Sequence, residues 1–161
     1  VHGRTRECAY KATVEYDTIA AIKEIISIPV IANGDITTPQ KAQEVLDHTA
    51  ADGIMIGRGA QGNPWVFREI AHFIKTGEAL PPTSFKEVKQ VMMEHLSGLH
   101  HFYGEYAGVR IARKHFGWYV QNLPYGDTHR KLFNQLDSAI DQLTIAQDIF
   151  AHLIEREELA A

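Results

Sequence analysis

Two short stretches carry the residue types that bind phosphate in parallel α/β proteins. The first, Pro29-Val-Ile-Ala-Asn-Gly-Asp-Ile, turns at Gly34, and the second, Gly53-Ile-Met-Ile-Gly-Arg-Gly-Ala, follows about twenty residues later and contains Arg58. Glycine lets the backbone approach an anion closely, and a guanidinium offers a rigid fork of donors. Together the stretches predict half of a clamp for a phosphorylated cofactor or substrate. Taken singly, each is also compatible with an ordinary turn or helix start.

Residues around this clamp extend the candidate site. Asn33 and Asp35 are suited to bind hydroxyl groups, and Gly57 gives the second loop the same close backbone approach as the first. His2 and Arg4 lie at the end of the first predicted strand, on the same rim, where they would meet a phosphate or the anionic side of a cofactor ring. For His2 the alternative is a structural histidine that only hydrogen-bonds its neighbours.

Alternating strands and helices position these loops. Residue periodicity predicts helices at 17–26, at 39–49 with Thr38 as the cap, and from Pro64 to a stop at Thr76-Gly77. Apolar runs predict buried strands at 29–32 and 53–56 after an opening strand. Such alternation implies a parallel sheet with right-handed crossovers. An eight-unit barrel takes roughly 250 residues, so we expect the last three β/α units of a TIM (β/α)8 barrel. Since the chain opens inside a strand without an initiator methionine, we expect a piece of a longer protein.

The second half of the chain reads as all-α. Residues 80–83, Leu-Pro-Pro-Thr, predict a linker, because two prolines favour an extended connection. After it, apolar spacing predicts helices at 84–104, 107–122, 127–137 and 138–157, which form a small antiparallel bundle. The expected fold class is therefore α/β followed by all-α.

The helix predicted at 107–122 carries a cationic stripe. Arg110, Arg113 and Lys114 are three or four residues apart and share one face, which Gly117 extends. Such a stripe suits RNA phosphates, with neighbouring rings available for stacking. The alternative is a solvated face with ion pairs. Ile111, Phe116, Trp118 and Tyr119 would divide between the bundle core and a stacking surface, and the residues that would widen the basic area are His115, Arg130 and Lys131.

Composition excludes several classes of protein and site. The 161 residues are 45% hydrophobic, enough for a core, and the formal net charge of −4 gives no global attraction for nucleic acid. The single cysteine, Cys8, excludes an internal disulfide and suits a reducing compartment, and without an activating partner we expect it to be structural. The nine histidines lack metal-ligand spacing, so we expect no metal site. The single cysteine makes the cytoplasm the expected location, and because no apolar stretch is long enough to span a membrane we expect no membrane residence.

Four ordered motifs resemble the carboxyl-terminal half of the tRNA-dihydrouridine synthases, particularly the bacterial B-type branch, across nearly the whole chain. The motifs are Val1-His-Gly-Arg-Thr-Arg, Pro29-Val-Ile-Ala-Asn-Gly-Asp-Ile, Ile56-Gly-Arg-Gly-Ala-Gln-Gly-Asn-Pro-Trp and Arg110-Ile-Ala-Arg-Lys-His. The resemblance implies an FMN-binding barrel at residues 1–79, the linker at 80–83, and a helical tRNA-binding domain at 84–161. It also implies that NADPH reduces the FMN, which then reduces a uridine in the D-loop of tRNA.

The resemblance further implies roles for single residues. The implied FMN contacts are His2, Asn33, Gly34, Asp35, Gly57 and Arg58, the last two at the phosphate. The implied tRNA contacts are Arg110, Arg113 and Lys114, and we group Arg4 with them. The family's proton-donating cysteine precedes the strand at which this chain starts, so we expect no catalytic residue here and an inactive fragment. We expect the full-length protein to be a monomer and the fragment, with exposed sheet edges, to be prone to self-association.

Two other functions stay open on the residues alone. One is a phosphate-binding barrel lyase or synthase that uses the same loops without a flavin. The other is a non-catalytic RNA-binding module, in which the cationic stripe is the functional surface and the first half is a scaffold.

Overall fold

Three consecutive stretches of the chain pair side by side and in parallel. The computed structural model describes residues 1–5, 7 and 13–160, so Cys8 lies outside the described residues. Strand β1 (Ile31–Asn33) pairs with β2 (Gly53–Met55). The chain start pairs with β1 as well, because the Asn33 amide donates to the Val1 carbonyl at 2.9 Å. The alternation of strands and helices predicts this parallel arrangement.

Three helices follow these stretches: α1 (Asp17–Ile25), α2 (Pro39–Thr49) and α3 (Val66–Thr76). Thr38 caps α2, since its hydroxyl accepts a hydrogen bond from a backbone amide of the first turn at 3.1 Å. Gly77 ends α3 in the left-handed conformation, with φ of 74°. Both boundaries agree with the prediction from the sequence.

One strand and one helix begin later in the structure than the sequence predicts. The strand predicted at 29–32 begins at Ile31, because Val30 is held by Asp52: the Val30 amide donates to the carboxylate at 2.6 Å, and its carbonyl accepts from the Asp52 amide at 2.9 Å. Helix α3 begins at Val66 rather than at position 64. The Val66 amide still belongs to a turn, because it donates to the carbonyl three residues earlier at 3.4 Å.

The sheet is covered on one face. Side chains alternate across a strand, so Ala32 points into the core while Ile31 points to the opposite face. Ile31 and Met55 are both exposed, so the prediction that both strands are buried throughout is wrong for that face. The buried core consists of Ile19, Val30, Ala32, Ile36, Ala42, Val45, Val66 and Ile70.

The longest helix, α4 (Phe85–Val120), reverses direction at Gly104, whose φ of 71° and ψ of 171° are not helical. His95 Nδ1 lies 3.2 Å from the Tyr119 hydroxyl, 24 residues along the chain. A straight helix of that length would separate them by roughly 36 Å. Helix α4 is therefore a hairpin, corresponding to the first two helices predicted in the second half. Its first arm is residues 85–103 and its second arm is residues 105–120.

Two further helices, α5 (Gly126–Asn134) and α6 (Ala139–Ala160), pack against α4. The rings of Phe116 and Phe133 are fully buried and stacked, with centroids 4.0 Å apart and planes 7° from parallel. Other buried apolar side chains here are Met92, Leu96, Val109, Ala112, Ala146 and Phe150. The predicted helical bundle is thus present.

The chain divides into two compact units. The N-terminal unit is Val1–Pro81 and the C-terminal unit is Pro82–Ala161, so the division falls within the linker predicted at 80–83. Among the described residues, no helix combines the length and the apolar character needed to cross a membrane.

Candidate functional site

The loop after β1 needs glycine at its centre. Gly34 has φ of 142°, and Asp35, with φ of 44°, is also left-handed. A Cβ atom on Gly34 would lie 2.6 Å from Val14 Cγ1, and the Tyr16 hydroxyl donates to the Gly34 carbonyl at 2.6 Å. Only glycine tolerates both this conformation and this contact. The tight loop places the Asp35 carboxylate just beyond the carboxyl end of β1.

The loop after β2 packs against the loop after β1. A short 3₁₀ helix, Arg58–Ala60, begins directly after Gly57. A Cβ atom on Gly59 would lie 2.6 Å from the Ile36 carbonyl oxygen, so a side chain there would force the loops apart. On Gly57, in contrast, a Cβ atom would meet nothing within 4 Å. The backbone of Gly57 therefore borders open space.

The two loops line one open cavity of about 500 Å³ in the N-terminal unit. His2 and Met55 contribute to its wall, so both sheet and loops take part. All six residues predicted to bind the cofactor lie around this cavity, namely His2, Asn33, Gly34, Asp35, Gly57 and Arg58. Parallel strands bring their carboxyl ends to one edge of a sheet, which is why residues so far apart in sequence meet here.

Arg4, Asp35 and Arg58 form an ion cluster beside the cavity. Asp35 accepts hydrogen bonds from Arg4 through both carboxylate oxygens, one of them at 3.1 Å from Nη1, and from Arg58 Nη2 at 2.8 Å. The hydrogen bond from Arg4, with the charges of both guanidinium groups, lowers the pKa of Asp35. Two guanidinium groups thus meet at one carboxylate. A guanidinium beside the cavity offers N–H donors that suit an anionic ligand.

The two arginines of this cluster differ in exposure. The Arg4 side chain is 5% exposed, whereas the Arg58 side chain is 53% exposed. Arg58 thus has its guanidinium exposed at the cavity, whereas the buried guanidinium of Arg4 holds the Asp35 carboxylate in place. The contact of Arg4 with RNA, expected from the sequence, stays a prediction, and its burial favours a supporting role. Sequence spacing could not predict this pairing, because Arg4 and Asp35 are 31 residues apart.

Asn33 and His2 tie the strand ends together. The Asn33 side-chain amide donates to the Met55 carbonyl at 2.8 Å, joining β1 to β2. His2 Nδ1 lies 3.2 Å from the Asn33 carbonyl oxygen. Asn33 therefore has a structural hydrogen bond in addition to the hydroxyl recognition predicted for it.

The cationic stripe lies on the second arm of α4, and two of its members are exposed. Arg110 lies over the ring of Tyr106, with its guanidinium carbon 5.4 Å from the centroid. Lys114 Nζ lies 4.9 Å from the ring centroid of Trp118. Spacing alone predicts the shared face of the cations, but Tyr106 was missed, although its position four residues before Arg110 is a usable signal.

Arg113 and Gly117 face neighbouring helices instead. Arg113 Nη2 donates to the Leu136 carbonyl at 3.0 Å and to Asp137 at 2.7 Å, so it closes the turn between α5 and α6. A Cβ atom on Gly117 would lie 3.1 Å from Arg130 Cδ. The prediction that Gly117 extends the exposed stripe is therefore wrong, because Gly117 is buried against α5.

A pair of histidines joins the two arms of α4. The rings of His95 and His115 have centroids 4.7 Å apart. Partial burial lowers the pKa of both, and the nearby charges of His95 and Lys114 add to the effect on His115. Within the described residues, no group of three or more His, Cys, Asp or Glu side chains is placed to hold a metal ion.

Comparison with known proteins gives consistent matches over nearly the whole chain. The profile of the dihydrouridine synthase (Dus) family matches residues 1–155. The tRNA-dihydrouridine synthase B of Shewanella oneidensis is 54% identical over 155 residues, which is 96% of this chain and 48% of that protein. The enzyme of the same name from Serratia marcescens is 51% identical over 159 residues, 99% of this chain and 48% of that protein.

A third relative extends this pattern. The tRNA-dihydrouridine synthase B of Proteus vulgaris is 51% identical over 156 residues, which is 97% of this chain and 48% of that protein. The chain spans about half the length of these curated relatives. With the glycine loops, the ion cluster and a family match over residues 1–155, the chain belongs to the dihydrouridine synthase family.

Proposed function

We propose that this chain is the carboxyl-terminal half of a cytoplasmic, flavin-dependent tRNA-dihydrouridine synthase, which uses FMN and NADPH to reduce a uridine in the D-loop of tRNA. Family membership and the names of the relatives support the reaction class. In the longer protein, residues 1–79 supply the last three units of a TIM barrel, 80–83 the linker, and 84–161 the tRNA-binding domain. That longer protein is a monomer.

One observation carries the cofactor assignment: the glycine loops after β1 and β2 meet Arg58 at a single cavity. The guanidinium of Arg58 at the cavity suits a phosphate, and the open side of Gly57 allows the ligand to approach the backbone. Charge and space therefore fit the phosphate end of FMN. Arg58 holds the phosphate, and Asp35 fixes the direction of the Arg58 guanidinium.

The wall of the cavity also suits the ring end of a flavin. Met55 offers apolar surface there, and His2 stands at the rim with an imidazole that can hydrogen-bond a ring heteroatom. When bound, FMN supplies the electrons that saturate the uracil double bond. This chain orients the cofactor, and the proton donor belongs to the other half of the enzyme. The 161 residues alone are therefore inactive.

The C-terminal unit supplies the RNA contact. Arg110 and Lys114 are exposed on one face of the second arm of α4, which suits phosphates of tRNA. Arg113 lies beside them but holds the turn after α5, so it supports this face. The net charge of −4 makes a local patch necessary for any such contact.

Titration with FMN and with riboflavin, which lacks the phosphate, tests the cofactor assignment. We expect the purified chain to carry no tightly bound flavin, to bind FMN weakly and to bind riboflavin more weakly still. Arg58→Gln removes a charge-assisted hydrogen bond and lowers FMN affinity about tenfold, with little effect on riboflavin. Arg130→Gln, which removes an arginine paired with Asp127 in the C-terminal unit, is the matched control.

Three results would contradict this proposal. Equal affinities for FMN and riboflavin would exclude the phosphate clamp. Affinity for small phosphates only, with no binding of either flavin, would favour the barrel that uses the same loops without a flavin. Dihydrouridine formation by the chain alone, with NADPH and unmodified tRNA, would exclude the assignment of the proton donor to the other half of the enzyme.

A further inference from the structure

Four residues form a ladder along the second arm of α4. Tyr106, Arg110, Lys114 and Trp118 recur every four residues, so they lie along one face of the helix, roughly 6 Å apart. Two cations stand at the centre of the ladder, and one aromatic ring stands at each end.

Each cation rests on its own ring. Besides lying over the ring of Tyr106, Arg110 donates through Nη1 to the Tyr106 hydroxyl at 3.2 Å. Lys114 lies over the indole of Trp118 in the same way. Arg113 and Arg130 nearby are instead paired with carboxylates. Within the described part of the chain, neither Arg110 nor Lys114 forms an ion pair.

The partner of a cationic side chain determines how much of its charge stays available to a ligand. A carboxylate would neutralise a cation, whereas an uncharged ring restricts its motion and leaves its charge intact. The sequence has no Asp or Glu between Tyr106 and Gly126, although the chain as a whole is acidic. The Tyr106 side chain is 79% exposed, so burial in the core does not account for this aromatic ring.

We propose that Tyr106 and Trp118 are positioning residues, which hold Arg110 and Lys114 ready to bind two phosphates of the RNA backbone. This inference rests on the proposed tRNA-binding function and adds the means by which the cations are presented. Long cationic side chains lose rotamer freedom when they bind, and a ring that restricts them beforehand reduces that loss.

Binding of unmodified tRNA by the 161-residue chain tests the inference through Tyr106. We expect Tyr106→Leu to weaken binding about two- to fivefold at moderate salt, because the ring that holds Arg110 is gone. Tyr106→Phe keeps the ring and should restore most of the affinity. Phe102→Leu is the matched control, because Phe102 is also 79% exposed and its ring contacts Tyr103 rather than a cation.

A double-mutant cycle separates positioning from direct contact with RNA. If Tyr106 acts through Arg110, Tyr106→Leu has no further effect once Arg110→Gln is present. Arg110→Gln itself should weaken binding and reduce the slope of log affinity against log salt by about one. Thermal unfolding of each variant, followed by circular dichroism, checks that the helices are unchanged.

Three outcomes would overturn the inference. If Tyr106→Leu weakens binding equally with and without Arg110, the ring contacts RNA itself and is no positioning residue. If Tyr106→Leu binds tRNA like the unsubstituted chain, the ring has no role in binding, while the proposed tRNA function stands. If the unsubstituted chain binds no tRNA at any salt concentration, both the inference and the assignment of tRNA binding to this chain fall.

Discussion

Asp35 holds two arginines that differ in burial, so their roles can be separated by substitution. Arg4→Met removes a buried guanidinium and its hydrogen bonds to the carboxylate. Such charge-assisted bonds contribute about 2 kcal/mol to the free energy of unfolding, after allowance for the 41% exposure of the Asp35 side chain. Arg58→Met removes a cation that is mostly in water and should cost about 0.5 kcal/mol.

Urea unfolding measures these costs in the N-terminal unit. Trp65 is buried there and reports on its unfolding when Trp118, in the C-terminal unit, is replaced by Phe. We expect Arg58→Met to affect ligand binding more than Arg4→Met does, and Arg4→Met to affect the free energy of unfolding more than Arg58→Met does. Arg58→Met should abolish the preference for FMN over riboflavin, while Arg4→Met should mainly destabilise the fold.

The pH dependence gives an independent check with a definite sign. Because the hydrogen bond from Arg4 is the main cause that lowers the pKa of Asp35, Arg4 stabilises the fold only while Asp35 is ionised. This contribution is complete above the ordinary carboxyl pKa of 3.8 and is lost as pH falls through the lower pKa of the folded protein. The stability difference between the unsubstituted chain and Arg4→Met should therefore narrow at acidic pH.

Two results would refute this reasoning. If Arg58→Met costs as much stability as Arg4→Met, burial does not divide the roles of the two arginines. If the cost of Arg4→Met stays constant from neutral pH down through the pKa of Asp35, the ion pair is not what Arg4 contributes.

Two further predictions concern pH and loop packing. Because the pKa values of His95 and His115 are lowered in the folded state, the unfolded state binds more protons, and the C-terminal unit should lose stability as pH falls through about 6.5. The loss of unfolding free energy is at most about 1.4 kcal/mol per pH unit for each histidine, and it is smaller here because both side chains are partly exposed. Unfolding midpoints that do not change between pH 7.5 and 5.5 would contradict this prediction. Gly59→Ala should lower the free energy of unfolding by about 1–3 kcal/mol, because the added methyl group presses on the Ile36 carbonyl. This loss should exceed that of Gly57→Ala, where the methyl group meets nothing. Equal unfolding midpoints of the two variants in urea would contradict this prediction.

Local signals predicted the elements well because their causes lie within a few residues. Thr38 followed by proline starts α2, Gly77 ends α3, and Ser84 caps α4 by accepting from the Glu87 amide at 3.3 Å. The turn at Gly104 was also predictable, since its positive φ suits glycine. The six residues predicted to bind the cofactor line one cavity because parallel strands end at one edge of a sheet, which is a rule of topology.

Long-range side-chain partners were not predictable from spacing. A cation that caps a turn and a cation that is exposed on the surface have the same spacing on a helical stripe, so the sequence could not distinguish Arg113 from Arg110. Gly117 was placed on the wrong surface, because its neighbour Arg130 lies on another helix. In each case the deciding contact joins residues brought together only by the tertiary fold.

The uncovered face of the sheet and the candidate site are parts of one surface. Met55 lines the cavity, and Ile31 and Asn33 share a face of β1 because side chains alternate along a strand. That face has apolar side chains along the strands and the ion cluster of Arg4, Asp35 and Arg58 at their carboxyl ends. In the eight-stranded barrel that we propose for the longer protein, side chains of the other five strands would fill the interior and cover Ile31 and Met55. The choice between a flavin and another phosphorylated ligand therefore rests on the comparison of FMN with riboflavin at Arg58, and not on the exposed strand face.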